Sequence, residues 1–202
     1  MKHLYKFWVN ILRRSRHKKL KFVILFIVTI LVLAVIVNNT SLIWKAIYPL
    51  KYKEQVFKYA SESKLDPYLI YAIMKAESGF DPKATSKKNA KGLMQLMDAT
   101  ATEGANALKL VDFTVKDLYN PETNIRIGCW HVNKLMNQFN DVDLVIAAYN
   151  GGGGKVKEWL RNKEFSSTGD TLEVIPFKET DKFLKKVKSY YNEYKRLYEK
   201  DF

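Results

Sequence analysis

A chain of 202 residues, 47% of them hydrophobic, is long enough for one compact domain and a short additional segment. Its net charge of +13 is unevenly distributed, because residues 1–21 carry eight Lys and Arg and no acidic residue, which leaves 26 basic and 21 acidic residues in the rest. This distribution, with no zinc-finger spacing and no aromatic RNA-binding motif, argues against a nucleic-acid-binding protein.

Residues 22–37 form an apolar segment, FVILFIVTILVLAVIV, in which Thr29 is the only polar residue. As a helix it would extend about 24 Å, slightly less than a hydrocarbon core of ~30 Å, and flanking residues up to 44 can complete the crossing. A cleaved signal peptide would also have a basic start and an apolar centre, but NNTSLIW contains no small-x-small cleavage site. We therefore predict a basic cytoplasmic tail over 1–21, an uncleaved transmembrane anchor over 22–44 and an extracytoplasmic domain over 45–202.

Cysteine and histidine are too scarce in the predicted domain for a metal centre or an internal disulfide. Cys129 is the only cysteine of the chain, and His131 is the only histidine beyond the basic tail. Two such residues cannot complete a zinc site, and at two positions apart on one predicted helix their side chains point in different directions. We therefore predict a small buried cysteine, no metal and no cofactor.

Beyond residue 44 the pattern is that of helices joined by polar loops, without an internal repeat or a long strand pattern. The predicted helices are a lysine-rich linker over 45–63, a helix that Asp66 caps and that ends near Glu77, one that starts at Asp98 or Thr100, one from Asn120 to Phe139, a buried one ending near 150, a short one over 156–160 and a last one over about 179–199. The predicted fold class is therefore mainly α.

The helix that ends near Glu77 carries this glutamate on its apolar face. Ile70, Ile73 and Met74 mark that face, and Glu77 is the next residue of the same series. A carboxyl group among apolar neighbours tends to hold its proton near neutral pH, which is the state that a general acid needs. The alternative is a helix-end glutamate that reaches solvent or bonds a nearby backbone group, and the helix pattern alone leaves both open.

Four short segments follow one another along the domain: ESGFDPKA, GLMQLM, AAYNGG and IPFKET. In this order and spacing they resemble the catalytic domain of the soluble lytic transglycosylases, glycoside hydrolase family 23, over about residues 55–195. The resemblance implies a lysozyme-like α domain in which Glu77 is the single catalytic acid and base.

The same resemblance implies roles for further positions. Ser78 would support the Glu-Ser motif, and the substrate-binding residues would be Ser86, Gln95, Met97, Tyr149, Asn150 and Glu179. Simpler interpretations exist for several of them: a core residue for Met97 or Tyr149, a loop hydroxyl for Ser86, and a first-turn glutamate favoured by the helix dipole for Glu179. Two positions depart from the family pattern. Asp98 stands where the family commonly has proline, and we expect little harm because aspartate is a good helix cap. The sequence ETDKF, which begins at Glu179, also departs from the pattern and leaves open the details of the groove wall there, but not Glu179 itself.

The activity implied by the resemblance is a peptidoglycan lytic transglycosylase on the bacterial cytoplasmic membrane, a single-pass protein with its N-terminus inside. It would cleave the MurNAc–GlcNAc β-1,4 bond and form 1,6-anhydro-MurNAc, using one carboxylate where ordinary glycosidases use two. Its partners would be peptidoglycan strands, which the mildly basic domain would favour when they carry acidic groups, and the membrane through residues 22–37. Two alternatives are a hydrolytic muramidase similar to goose-type lysozyme and a non-catalytic glycan-binding scaffold.

Overall fold

The computed structural model describes residues 21–35 and 40–201, and the chain divides after Pro49 into two compact units. The first unit contains α1, which is helical over the described residues 21–35, and α2 (Thr40–Ile47). Residues 1–20 of the predicted basic tail lie outside the described residues, and so do residues 36–39 of the predicted anchor.

Helix α1 has an apolar surface on all sides. From Phe22 to Val35 its large hydrophobic side chains are each about half or more exposed, and the Thr29 hydroxyl donates to the Leu25 carbonyl at 2.9 Å. Over residues 21–35 and 40–201, no helix combines the length and the apolar character that a membrane crossing requires.

The predicted linker helix over 45–63 is wrong as a single element. Helix α2 ends at Ile47, and α3 (Lys53–Glu62) begins only after a break. Pro49 has no backbone N–H to continue the helical hydrogen bonds. Tyr52, the N-cap of α3, adopts a left-handed conformation with φ 56°, which a continuous helix excludes.

The second unit, from Leu50 onward, is built from helices. Its described elements are α3, α4 (Pro67–Glu77), α5 (Asp98–Ala107), α6 (Pro121–Phe139), α7 (Val142–Gly151), α8 (Gly153–Arg161), α9 (Lys178–Tyr198) and two short 3-10 turns at Val115–Tyr119 and Glu199–Asp201. Within residues 40–201, β-structure is limited to isolated bridges that join Thr85 to Lys91 and Lys91 to Leu96. The prediction of a mainly α domain is confirmed.

Helix α4 lies at the centre of this unit, where it packs most extensively against α9 and also contacts α3. Asp66 caps it as predicted: one carboxylate oxygen accepts from the Tyr68 backbone N–H at 2.8 Å, and the other accepts from the Tyr191 hydroxyl of α9 at 2.7 Å. Ile73 and Met74, on the predicted apolar face, have no exposed surface. The cap fixes the start of α4, and core packing fixes the face that it turns to the interior.

The start of α5 differs from the prediction that Asp98 or Thr100 caps it. Met97 is the N-cap, with extended backbone and no side-chain cap hydrogen bond, and Asp98 is the first helical residue. The Asp98 carboxylate instead accepts from the ammonium group of Lys91 at 2.5 Å. Only 7% of Lys91 is exposed, so leaving its buried charge unpaired would cost more free energy than the missing helix cap.

Candidate active site

An open groove with a volume of about 430 Å³ lies where α4 ends. Four separated parts of the chain contribute to it, and the lining residues are Glu77, Ser86, Lys87, Lys88, Ala90, Gln95, Met97, Tyr149, Asn150 and Glu179. The groove therefore brings together every residue that the sequence pattern marked as catalytic or substrate-binding. Their individual roles stay predictions.

Glu77 is the last residue of α4, and its side chain is partly buried in the groove. Burial raises the pKa of its carboxyl group from the ordinary 4.5 to about 7. The positive charge of Lys186 opposes this shift, and the negative charge of Glu179 adds to it. The Lys186 ammonium group is held nearby, because it donates to the Ala76 carbonyl at 2.8 Å. Near neutral pH, Glu77 therefore exists in both its protonated and its ionised form.

Ser78 connects the end of α4 to the Gly-Leu-Met-Gln segment. Its hydroxyl donates to the Leu93 carbonyl at 2.7 Å and accepts from the Phe80 backbone N–H at 3.1 Å. These bonds fix the chain directly after Glu77. The supporting role of Ser78 in the Glu-Ser motif stays a prediction.

Asn124 of α6, which the sequence did not lead us to predict, binds the backbone of the Gly-Leu-Met-Gln segment. Its side chain is fully buried; it accepts from the Met94 N–H at 2.8 Å and donates to the carbonyls of Lys91 at 3.0 Å and Leu118 at 2.8 Å. Gly92 lies so close that an added Cβ would meet the Leu118 carbonyl oxygen at 2.2 Å. An asparagine on the apolar face of a predicted helix was the available signal, since buried amides need partners.

Tyr149 lies in the last turn of the apolar helix α7 and lines the groove. Its hydroxyl donates to the Met94 carbonyl at 2.6 Å, and its ring centroid lies 5.3 Å from that of His131. Burial raises the pKa of the Tyr149 phenol well above its ordinary range and lowers the pKa of His131 to about 4. Both rings are therefore neutral at physiological pH, and the wall contributes no charge that would help Glu77 to ionise.

Gln95 and Ser86 each use part of their hydrogen-bonding capacity within the protein. The Gln95 amide nitrogen donates to the carbonyls of Ala84 at 3.1 Å and Gly92 at 2.9 Å, which leaves the side-chain oxygen of this groove-lining residue as an acceptor. The Ser86 hydroxyl accepts from two backbone N–H groups of its own loop at 3.2 and 3.0 Å. Its own proton is therefore available to a ligand.

The remaining predicted residues lie at the edge of the groove. The side-chain oxygen of Asn150 accepts from the Thr180 hydroxyl at 2.9 Å, which joins α7 to the first turn of α9. Met97 is 45% exposed and therefore is not a core residue. The Glu179 carboxylate lies 3.9 Å from the ammonium group of Lys88, and both side chains are mostly exposed.

Three lysines at this site were not predicted. Lys87 and Lys88 line the groove directly after Ser86, and Lys186 acts on Glu77 from α9. Lys87 and Lys88 could have been predicted as groove residues, because they directly follow the motif residue Ser86. No local pattern could have indicated Lys186, because it lies 109 positions after Glu77 in the sequence.

Cys129 is fully buried in α6, as predicted for a small core residue. Burial also raises the pKa of its thiol, so that it stays protonated. In the described part of the chain, no three His, Cys, Asp or Glu side chains converge where they could hold a metal ion.

Comparison with known families decides the identity of the domain. Residues 54–171, more than half of the chain, match the family described as the transglycosylase SLT domain. The chain belongs to the transglycosylase SLT domain family. The resemblance drawn from the four sequence segments is thereby confirmed.

Individual relatives of this SLT-domain chain include soluble and membrane-bound enzymes. It is 35% identical to the soluble lytic murein transglycosylase of Escherichia coli over 146 residues, which are 71% of this chain and 23% of that protein. It is 33% identical to the membrane-bound lytic murein transglycosylase C of Yersinia pestis over 170 residues, covering 72% of this chain and 47% of that protein. The chain thus spans less than half the length of either relative.

Solved structures show the same fold. The 70-kDa soluble lytic transglycosylase of Escherichia coli superposes with a TM-score of 0.69 at 32% identity, covering 76% of this chain and 25% of that one. The lytic transglycosylase Slt of Pseudomonas aeruginosa, solved as an inactive glutamate-to-glutamine mutant, gives 0.67 at 30% identity and covers 75% and 25%. The predicted lysozyme-like fold is confirmed for the SLT domain.

Proposed function

We propose that the chain is a membrane-anchored peptidoglycan lytic transglycosylase, which cleaves the MurNAc–GlcNAc β-1,4 bond and forms 1,6-anhydro-MurNAc. The observation that carries the proposal is Glu77, a partly buried carboxyl group with a pKa of about 7 in a groove that the family's motif residues line. The similarity to lytic murein transglycosylases supports the choice of substrate and reaction.

Bond cleavage begins with Glu77 in its protonated form. Glu77 donates its proton to the glycosidic oxygen, the bond from this oxygen to carbon 1 of MurNAc breaks, and the bonding electrons stay with the departing oxygen. The positive charge that develops at carbon 1 is stabilised by the carbonyl oxygen of the sugar's own N-acetyl group. The substrate thus supplies the function that a second carboxylate has in ordinary glycosidases.

Ring closure uses the carboxylate that the first step produces. Glu77 takes the proton from the 6-hydroxyl of the same MurNAc, and the 6-oxygen forms a bond to carbon 1. No water is consumed, and Glu77 is protonated again for the next cycle. A pKa near 7 suits both steps, because the group must give a proton in one and accept it in the other.

The sugar would be positioned by the polar groups around Glu77. The Ser86 hydroxyl can donate a hydrogen bond, the Gln95 side-chain oxygen can accept one, and the Asn150 amide nitrogen can donate another. The neutral ring of Tyr149 covers the side opposite to solvent and preserves the raised pKa of Glu77. This division between polar positioning groups and an uncharged wall supports a single acid–base residue.

A hydrolytic muramidase is the second candidate, and Glu179 is the observation that favours it. Glu179 is the other carboxylate of the groove, so it could activate a water molecule for attack on carbon 1. Its exposure to solvent and its nearby Lys88 partner fit this role less well than they fit an edge residue.

The membrane anchor is proposed over residues 22–37, with the basic tail inside and the SLT domain outside. The apolar, exposed side chains of α1 and the basic residues before it support this arrangement, as does the similarity to a membrane-bound enzyme. Protease added to intact protoplasts should remove the SLT domain and spare an N-terminal tag. Mature protein that starts near residue 38 would contradict the anchor.

Product analysis tests the proposed reaction. The detergent-solubilised full chain is incubated with purified peptidoglycan, and the soluble products are analysed by mass spectrometry before and after borohydride treatment. We expect muropeptides that are one water lighter than hydrolysis products and that borohydride does not reduce. Reducible muramic acid as the main product would show a muramidase, and binding without cleavage would leave only a glycan-binding scaffold.

A further inference from the structure

The active-site groove adjoins a second groove of about 460 Å³ at the N-terminus of α9. Lys88, Asn150 and Glu179 line both grooves, and Phe177 and Lys178 lie in the second. A ligand longer than one sugar can therefore lie along both without leaving the surface. The side chains at this shared edge can therefore contact parts of the ligand other than the sugar at Glu77.

The edge of the two grooves is cationic. Lys87 and Lys88 line the first groove and Lys178 lines the second, whereas the only carboxylates among the lining residues are Glu77 and Glu179. Burial raises the pKa of Glu77 to about 7, which reduces its negative charge near neutral pH. An excess of positive charge therefore faces the space that the ligand occupies.

The backbone under Lys87 and Lys88 is fixed. The Ser86 hydroxyl accepts from the Lys88 and Ala90 N–H groups, and the Ser86 N–H itself donates to the Ala90 carbonyl at 2.9 Å. The buried ammonium group of Lys91 donates to the Asn89 carbonyl at 3.0 Å. Two lysine side chains thus project from a rigid turn, which lowers the entropy cost of binding an anion there.

The lysine charges are available to a ligand. Lys88 and Glu179 are 3.9 Å apart with 82% and 76% of their side chains exposed, and ion pairs of this kind contribute little to stability. Within residues 40–201, no hydrogen bond or ion pair of the Lys87 side chain to a protein group is formed. A ligand carboxylate can therefore replace Glu179 as the partner of Lys88 and add a new partner for Lys87.

We propose that Lys87, Lys88 and Lys178 form a cationic rim that binds the carboxylates of the peptide stems, so that peptide-bearing glycan strands are the preferred substrate. The inference rests on the proposed function and names the substrate class of the same groove. The sugar rings themselves carry no charge, whereas each peptide stem, attached through the lactyl group of MurNAc, ends in carboxylates. A strand in the grooves presents these stems at its edge, where the cationic rim lies.

The test compares two strands that differ only in their stems. One is purified peptidoglycan strand with intact stems, and the other is the same material after an amidase has removed them. The measured quantity is the ratio of kcat/KM on intact strands to kcat/KM on stripped strands, for the full chain in detergent. We expect K87Q/K88Q to lower this ratio about tenfold, mainly through KM, because two charge contacts are lost.

A matched control removes two exposed lysines that line neither groove, in K116Q/K157Q, and should keep the wild-type ratio. High salt should lower the ratio of the wild type, because it screens exposed charges. If the ratio for K87Q/K88Q equals that of the wild type, the proposal is overturned. This holds even when kcat/KM falls, as long as it falls equally on both strands. A loss confined to wall material that retains anionic phosphate polymers would overturn it as well, since the rim would then bind those polymers.

The cationic rim can be tested even if the proposed reaction fails. Absence of anhydro products from both strands would refute the transglycosylase function alone. Binding of the Glu77→Gln protein to intact and to stripped strands would then test the cationic rim. We expect tighter binding to the intact strands. Equal binding to both strands by this protein would contradict the rim.

Discussion

The floor and the rim of the active-site groove are built in opposite ways. On the floor, Glu77, Met94, Asn124 and Tyr149 are buried or partly buried. Polar groups of Met94, Asn124 and Tyr149 form hydrogen bonds of 2.6 to 3.0 Å with other parts of the fold. On the rim, the loop of Lys87 and Lys88 faces Glu179 of α9 across an exposed ion pair of 3.9 Å.

This difference separates chemistry from recognition. Removing water from a carboxyl group is what raises the pKa of Glu77, and it requires a floor whose polar groups are already satisfied. Exposed charges at the rim can instead exchange partners with a ligand. Mutations on the floor should therefore affect rate and stability together, whereas mutations on the rim should leave stability nearly unchanged.

Replacing Glu77 by Gln should have the largest effect of any change on the floor. The amide has a similar shape but cannot deliver a proton, so turnover on purified peptidoglycan should fall ~10²–10⁴-fold. Glu103→Gln is the control, since Glu103 is exposed in α5, pairs with Lys134 and does not line the groove. Turnover of half the wild-type rate in Glu77→Gln would show that another group carries the chemistry.

The same Glu77→Gln variant should also change the pH dependence of stability. Because the folded-state pKa of Glu77 lies above its ordinary 4.5, the wild type loses folding free energy as the pH rises from about 4.5 to 7. The neutral amide does not have this loss. Thermal unfolding should therefore occur a few degrees higher in the variant than in the wild type at pH 8, and the gap should narrow at pH 5.

Asn124→Ala should destabilise the floor of the groove, although Asn124 does not line the groove itself. It leaves the Met94 N–H and the carbonyls of Lys91 and Leu118 without their buried partner, which should lower the free energy of unfolding by about 2–4 kcal/mol. Asn120→Ala, which removes an exposed helix cap, should cost only about 1 kcal/mol. Urea unfolding of both variants measures the difference, and equal losses would show that the buried amide is not special.

Lys186→Met should shift the pH profile of the reaction. The Lys186 charge lowers the pKa of Glu77, so its removal should raise this pKa and keep the protonated, active form to higher pH. The alkaline limb of the kcat/KM profile should therefore move to higher pH. Lys182→Met, on the same helix, should leave this limb at the wild-type pH. A shift to lower pH in Lys186→Met would contradict the assignment of this limb to Glu77.

Lys88→Gln should have the smallest effect on stability. The exposed Lys88–Glu179 pair is expected to contribute less than ~0.5 kcal/mol, so urea unfolding should be close to that of the wild type. A loss above 1 kcal/mol would show that this pair braces the groove, and the contrast between floor and rim would fail.

Features that depend on neighbouring residues could be predicted from the sequence. The Asp66 cap and the apolar face that leads to Glu77 are local patterns, so the position of α4 and the placement of its final glutamate were predictable. The groove residues were found because four motifs of a known family occur in order. Physical pattern alone left Glu77 undecided.

Features that depend on distant partners could not be predicted. The start of α5 was misplaced because Asp98 serves the buried Lys91, and this burial is not visible in a local pattern. Asn124 contacts the motif segment from a helix 30 residues further on, and Lys186 reaches the end of α4 from α9. The long-range contacts of the fold, rather than its helices, set the electrostatics of the site.

The fate of water tests the central claim that Glu77 serves a single-carboxylate transglycosylase. The reaction is run on purified peptidoglycan in water enriched in oxygen-18, and the released muropeptides are analysed by mass spectrometry. Intramolecular attack by the 6-hydroxyl consumes no water, so we predict anhydro products without oxygen-18 at carbon 1. Incorporation of one oxygen-18 per cleaved bond would show that water is the nucleophile and would contradict the account.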